Sequence, residues 1–294
     1  LVRIAWRTVG RICARVVVDE LDPHRLDGLF EIGVDELSWR KQHHYLTLVS
    51  NHQTSKIVWA GPGRDAKALD AFFDELGPQR AQKLEVVSLD LGPAFRRSVT
   101  DNAPQATICA DPYHLVALAN RAVDTVRRQI WQQLRRLPDD NKVSRWFKHT
   151  RWALLKRPET LTASQQAALA AIRRHDSATW RAYRLKESLR EIVTARDIGD
   201  DMAGQLLDRW CSWAQRCRPE PFVKLARTIR VHRHEILATI RLGLNNGRVE
   251  GLNNRVRLIT RRGFGFHSPQ AVAALVMLAC GPVNLRLPHD KVAA

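Results

Sequence analysis

Two aspartates and one glutamate stand out by where they sit. Asp35 in EIGVDELSW and Asp90 in VVSLDLGPAF each follow an apolar run of strand character, and Glu250 is the only acid in NNGRVEGLNNRVRLITRR, residues 245–262. Three carboxylates brought together repel, each pair by roughly 4 kcal/mol at 4 Å with an effective dielectric near 20. Divalent cations remove that cost. Two such ions about 3.5–4 Å apart clamp the attacking and leaving oxygens of an in-line phosphoryl displacement, and hard carboxylate oxygens select Mg²⁺ or Mn²⁺ over zinc. The chemistry this points to is cleavage and transfer of phosphodiesters. Taken singly, each acid has a plainer reading: Asp35 and Asp90 as solvated strand-end or turn residues, and Glu250 as a helix-surface acid paired with Arg248 or Arg255.

The surroundings of Glu250 favour the joint reading. Asn253, Asn254 and Arg257 lie three, four and seven positions on and share its helix face, while Arg248, Arg255, Arg261 and Arg262 supply phosphate donors. Two further stretches are cationic. SRWFKHTRWALLKR, from Ser144 to Arg157, interleaves Trp146, Phe147 and Trp152 with Arg145, Lys148, Arg151, Lys156 and Arg157. Its aromatics either stack on unpaired bases or fill a core at helical spacing. Lys224, Arg227, Arg230, Arg233 and Arg241 form a second stripe along what reads as one helix, with Glu235 as its only acid, suited to a DNA backbone. Asp111-Pro112-Tyr113-His114 reads as helix-start chemistry, an Asp cap before a Pro, with His114 in the core or on the surface.

The elements that must position these groups follow from the patterning. LFEIGVDE, HHYLTLVS and KIVWAG are short β-rich runs of an antiparallel meander. Asp65 caps a helix carrying Ala68, Leu69, Phe72, Phe73 and Leu76, which ends at Gly77-Pro78. LEVVSLD is a fourth strand, Gly92-Pro93 opens a helix to about Val99, ATICA is a fifth strand, and Asp111-Pro112 starts a long helix. The order βββαβαβα is that of the RNase H-like fold, whose first strand lies centrally beside the fourth, so residues leaving those two strands meet. The expected class is α/β: a mixed sheet flanked by helices and interrupted by a large all-helical insertion. The boundaries read as 29–115 for the first part of the core, 116–244 for the insertion, and 245–294 for the second part, with the Glu250 helix and a final helix from Ser268-Pro269. Residues 1–28 are either a helical linker or the last helix of a helix-turn-helix.

Composition narrows the partner. The chain of 294 residues carries 47 Lys and Arg against 30 Asp and Glu, a formal charge of +17, which calls for a polyanion, foremost nucleic acid. Five cysteines, odd in number and without a CxxC pair, fit reduced thiols rather than zinc ligands or disulfides. No run of eighteen apolar residues exists, so a membrane partner is not expected and a cytoplasmic protein is.

The motifs IGVDELSWRKQHHYLTLV, VVSLDLGPAF, ICADPYHLVALAN, RWALLKRPETLT, RAYRLKESLREI, FVKLARTIRVHRHEIL and NGRVEGLNNRVRLITRRGFGFHS together resemble bacterial insertion-sequence transposases of the DDE type, ISL-three group, a resemblance that covers the chain from Phe30 to Gly281. The resemblance implies that the metal-binding catalytic triad is Asp35, Asp90 and Glu250, holding two Mg²⁺ or Mn²⁺ ions. It implies that the Asp111–His114 spacing supports the active site, as does the pair Asn254 and Arg257. It further implies double-stranded DNA as partner, both element ends and target, contacted by Arg145, Lys148, Arg151, Trp152, Lys224, Arg227, Arg230, Arg248, Arg255, Arg261 and Arg262. A homo-oligomer on paired DNA ends, in the bacterial cytoplasm at the nucleoid, is also implied. The family's usual N-terminal zinc ribbon has no counterpart among these cysteines, so the chain resembles an N-terminally shortened member without zinc. Two rival functions share these features: a nuclease or resolvase of the same fold without strand transfer, and a non-catalytic basic DNA-binding remnant.

Overall fold

The structure is a computed structural model and describes residues 5–40, 43–136, 141–243, 247–262 and 265–285. Helix α1 (Trp6–Glu20) precedes the three β-rich runs, which pair as a meander: β1 (Glu31–Arg40), β2 (His44–Asn51) and β3 (Lys56–Pro62). Asp65 caps α2 (Ala66–Leu76), its carboxylate accepting from the Ala68 N–H at 3.0 Å, and a short α3 (Pro78–Ala81) follows. The chain returns as β4 (Val86–Leu89), α4 (Pro93–Asn102) and β5 (Thr107–Ala110). The sheet order is β3-β2-β1-β4-β5, with β1 central and parallel to β4. This is the RNase H-like arrangement that the element order calls for.

Alternation along the strands sorts the side chains onto two faces. Ile32, Val34, Val49, Val87 and Leu89 form one core with Leu69, Phe72, Phe73 and Leu76 of α2 and Phe95 and Val99 of α4. Leu37, Leu46, Leu48 and Ile57 face the other way. They pack with Leu252 and Val256 of α13 (Gly247–Arg262) and Val272, Val276 and Met277 of α14 (Pro269–Cys280). Ser268 caps α14, with Pro269 at its first turn.

The chain divides into two compact units, Leu1–Cys109 with Asn245–Ala294, and Ala110–Leu244. In the first, α1 lies along α14, with Val17 in the shared core and Leu21 bridged to Val283, so residues 6–20 are packed against the sheet's covering helix. The second is helical throughout: α5 (Pro112–Leu134), α6 (Asn141–His149), α7 (Arg151–Leu155), a 3₁₀ turn at Pro158–Thr160, α8 (Ala163–His175), α9 (Ser177–Thr194), α10 (Asp200–Arg216), α11 (Glu220–Val231) and α12 (Arg233–Leu242). It begins at Ala110, and α5 packs along its length on α9, α11 and the two short helices α6 and α7. Trp210 and Phe222 are its largest fully buried side chains.

Candidate active site

Asp35 and Asp90 are brought side by side by the sheet. The parallel register pairs Glu31 with Val86, Ile32 with Val87 and Gly33 with Ser88. Asp35, within β1, and Asp90, the first residue after β4, each lie two residues beyond the pair Gly33–Ser88, where neighbouring strands run about 4.8 Å apart. Both are half-buried. Asp35 shares the face of Gly33 and Leu37, the face covered by α13 and α14. Carboxylates leaving neighbouring strands gain from a counter-charge, and their oxygens are the hard ligands that Mg²⁺ and Mn²⁺ take.

Local hydrogen bonds hold both carboxylates. Asp35 Oδ1 accepts from the Glu36 N–H at 2.7 Å, and Asp90 Oδ1 accepts from the Gly92 N–H at 2.6 Å, closing a tight turn into α4. A Cβ on Gly92 would stand 2.8 Å from Asp90 Oδ1, so the turn requires glycine if the carboxylate is to stay where it is. One step below the acids, the sheet face is polar. His52 Nε2 lies 2.7 Å from Ser88 Oγ, Ser50 Oγ donates to Gly33 O at 3.2 Å, and a Cβ on Gly33 would meet Ser50 Oγ at 2.9 Å. His52 and Ser88 carry no motif of their own, and Gly92 has a second use beside opening α4; the signal in the sequence is a glycine two residues from each acid, Gly33 before Asp35 and Gly92 after Asp90.

Glu250 falls in the first turn of α13, and its side chain lies outside the described residues, as do those of Arg248 and Asn253. The helix itself packs against β1 through Leu252 and Val256. Asn254, Arg255, Arg257, Arg261 and Arg262 are exposed on it. Among the described residues, no group of three or more His, Cys, Asp or Glu side chains is arranged to hold a metal ion.

Asp111 and His114 belong to the helical unit. The Asp111 carboxylate accepts from the Tyr113 N–H at 2.8 Å as the cap of α5, and its Oδ2 lies 3.0 Å from His114 Nδ1. In α6 and α7, Phe147, Ala153 and Leu154 are buried, whereas Arg145, Lys148, Arg151, Trp146 and Trp152 are exposed. The Arg151 guanidinium lies over the Trp152 ring at 5.2 Å and 3.7 Å from Asp124. The stripe from Lys224 to Arg241 is not one helix, because the chain turns at His232. Arg227 and Arg230 face solvent there, Lys224 pairs with Glu220 at 2.8 Å, and Arg233 grips Asp208 with two bonds of 3.0 and 2.9 Å that push its pKa up.

Comparison with known proteins decides what this sheet and its acids belong to. The sequence model of a transposase family of the DDE type, ISL3 group, matches residues 32–276, a span that contains Asp35, Asp90 and Glu250. The chain belongs to that family. The transposase for insertion sequence element IS1557 of Mycobacterium tuberculosis is 44% identical over 307 residues, covering 98% of this chain and 68% of the relative. The transposase for insertion sequence element IS1001 of Bordetella parapertussis is 30% identical over 287 residues, covering 96% of this chain and 68% of the relative. The transposase described here has, among its described residues, no helix long and apolar enough to cross a membrane.

Proposed function

We propose that this transposase cuts one DNA strand at the end of its element and joins the freed end to target DNA, with Asp35, Asp90 and Glu250 holding two Mg²⁺ or Mn²⁺ ions. The observation that carries the reading is that Asp35 and Asp90 lie the same distance beyond the last pair of the adjacent parallel strands β1 and β4, with the Glu250 helix packed against β1. Bound there, divalent cations supply charge neutralisation at the scissile phosphate and lower the pKa of an attacking water or hydroxyl. In the first step water attacks phosphorus and the bond to the 3′ oxygen breaks, leaving a 3′-OH on the element. In the second, that hydroxyl attacks a phosphodiester of the target, whose own 3′ oxygen departs with the proton.

The cationic side chains position the substrate. Asn254, Arg255, Arg257, Arg261 and Arg262 grip phosphates beside the acids, and Arg145, Lys148, Arg151, Trp152, Arg227 and Arg230 carry flanking duplex. We propose a homo-oligomer on paired ends as the active species. Glu250→Gln removes a ligand charge and leaves the helix intact. The expected result is loss of Mg²⁺-dependent strand cleavage on a labelled duplex with salt-sensitive binding near normal, and wild-type cleavage by the variant overturns the assignment of Glu250. A pre-cut end supplied with target DNA separates the transposase reading from a hydrolytic nuclease, which yields no joined product.

A further inference from the structure

Between α9 and α10 the helical unit carries a groove of about 530 Å³ that neither the acids nor the exposed basic stripes account for. Its apolar floor includes Ile192 and Trp213, and its mouth carries Arg209 and Arg216 with Glu191 as its one acid. Arg209, Trp213 and Arg216 are spaced four and three apart, so one face of α10 presents them together. Arg184 of α9 places its guanidinium over the Trp213 ring at 5.6 Å. Two neighbouring tryptophans make the contrast. Trp210 is a core residue whose Nε1 donates to Leu185 O at 2.8 Å, whereas among the described residues Trp213 has no such bond and neither Arg209 nor Arg216 has an ion pair.

We propose that this groove binds one or two unpaired nucleotides of a DNA strand, a base lying against Trp213 and the adjoining phosphates on Arg209 and Arg216. The volume falls within the range of small-ligand pockets, roughly 300–1,000 Å³. The chemistry is selective: an indole face and a planar guanidinium stack on any exposed base, and uncompensated arginines fork onto phosphate oxygens. A neutral apolar ligand leaves the arginines unused, and intact duplex keeps its base faces stacked inside and offers none to Trp213. The site extends the DNA contacts proposed above but does not depend on the acids, so it is tested without cleavage.

The test uses the full chain in EDTA, with fluorescence anisotropy of a labelled oligothymidylate of roughly 12 nucleotides and of a duplex of the same length. Trp213→Ala is expected to weaken oligothymidylate binding about tenfold while duplex binding stays within about twofold, and Trp213→Phe restores most of the loss. The double variant Arg209→Gln with Arg216→Gln is expected to reduce the salt slope of single-strand binding by about 1.4, near 0.7 for each phosphate contact. Unchanged single-strand affinity in Trp213→Ala, or equal losses on single strand and duplex, overturns the proposal. Should Trp213→Ala fail to fold, the surface arginine pair decides: an unchanged single-strand slope overturns it. Loss of cleavage in an acid variant with the groove's binding intact separates the two proposals.

Discussion

Gly92 matters to the acid pair more directly than its lack of a side chain suggests. Its N–H holds Asp90 Oδ1 at 2.6 Å, and the space a Cβ needs lies 2.8 Å from that same oxygen. Its backbone φ of −69° suits any residue, so Gly92→Ala introduces no backbone strain and acts only by pushing the carboxylate aside. The expected outcome is a 10- to 100-fold fall in Mg²⁺-dependent cleavage, on the order expected for a displacement near 1 Å, with the melting temperature and DNA affinity close to wild type. A variant that cleaves normally shows that Asp90 reaches its working position some other way. The pairing of β1 with β4 was legible from the sequence because the element order is that of a fold whose first and fourth strands are neighbours. The His52–Ser88 contact was not legible, because it joins the end of β2 to β4 across β1 and no local pattern encodes a contact 36 residues apart.

At the level of elements, the side-chain caps of α2, α5 and α14 were legible, whereas those of α8 (Thr162) and α9 (Asp176) were not singled out. Asp65, Asp111 and Ser268 each accept from a backbone N–H in the following turn, as their Asp or Ser before an apolar-periodic run required. The break between α11 and α12 was missed because His232, at φ −102° and ψ 21°, is neither Gly nor Pro, so the turn there carries no composition signal. The packing of α1 on α14 was equally hidden, since Val17 is buried by residues more than 250 positions away. In α9 the core chemistry makes a separate prediction. Burial pushes the Tyr183 phenol up from 10.0 to about 12, and burial also lowers the pKa of Lys186, which donates to Leu154 O at 2.7 Å. A phenol whose folded pKa exceeds its unfolded one stabilises the fold fully below pH 10, and that contribution is lost between pH 10 and about 12. Lys186 works in the opposite sense, its burial cost easing as pH approaches 10.5. Tyr183→Phe isolates the first effect: the urea midpoint of the variant is expected to fall less between pH 9.5 and 11.5 than that of wild type. An identical fall in both means that the phenol stays protonated or titrates alike in the two states.

Across the whole molecule, a charge of +17 and a small acidic site make opposing demands on DNA. The cations attract the backbone without regard to sequence, releasing counterions as they bind, while in the function proposed above Asp35, Asp90 and Glu250 repel the phosphate that must come to them. In the absence of divalent cations that repulsion is uncompensated, so Asp35→Asn and Asp90→Asn should bind a duplex in EDTA as tightly as wild type or up to about tenfold more tightly, a gain of about 1.4 kcal/mol. Mg²⁺ should then strengthen wild-type binding beyond its ordinary salt effect and leave the variants with the ordinary effect alone. The salt slope itself should be steep and the same in all three proteins, because the proposed phosphate contacts belong to arginines and lysines outside the acid pair. Binding titrations with NaCl and with MgCl₂ at matched ionic strength check both parts. Tighter wild-type than variant binding in EDTA means that the carboxylates hold the basic surface in place instead of opposing the phosphate, and the division between an acidic catalytic centre and a basic docking surface then fails.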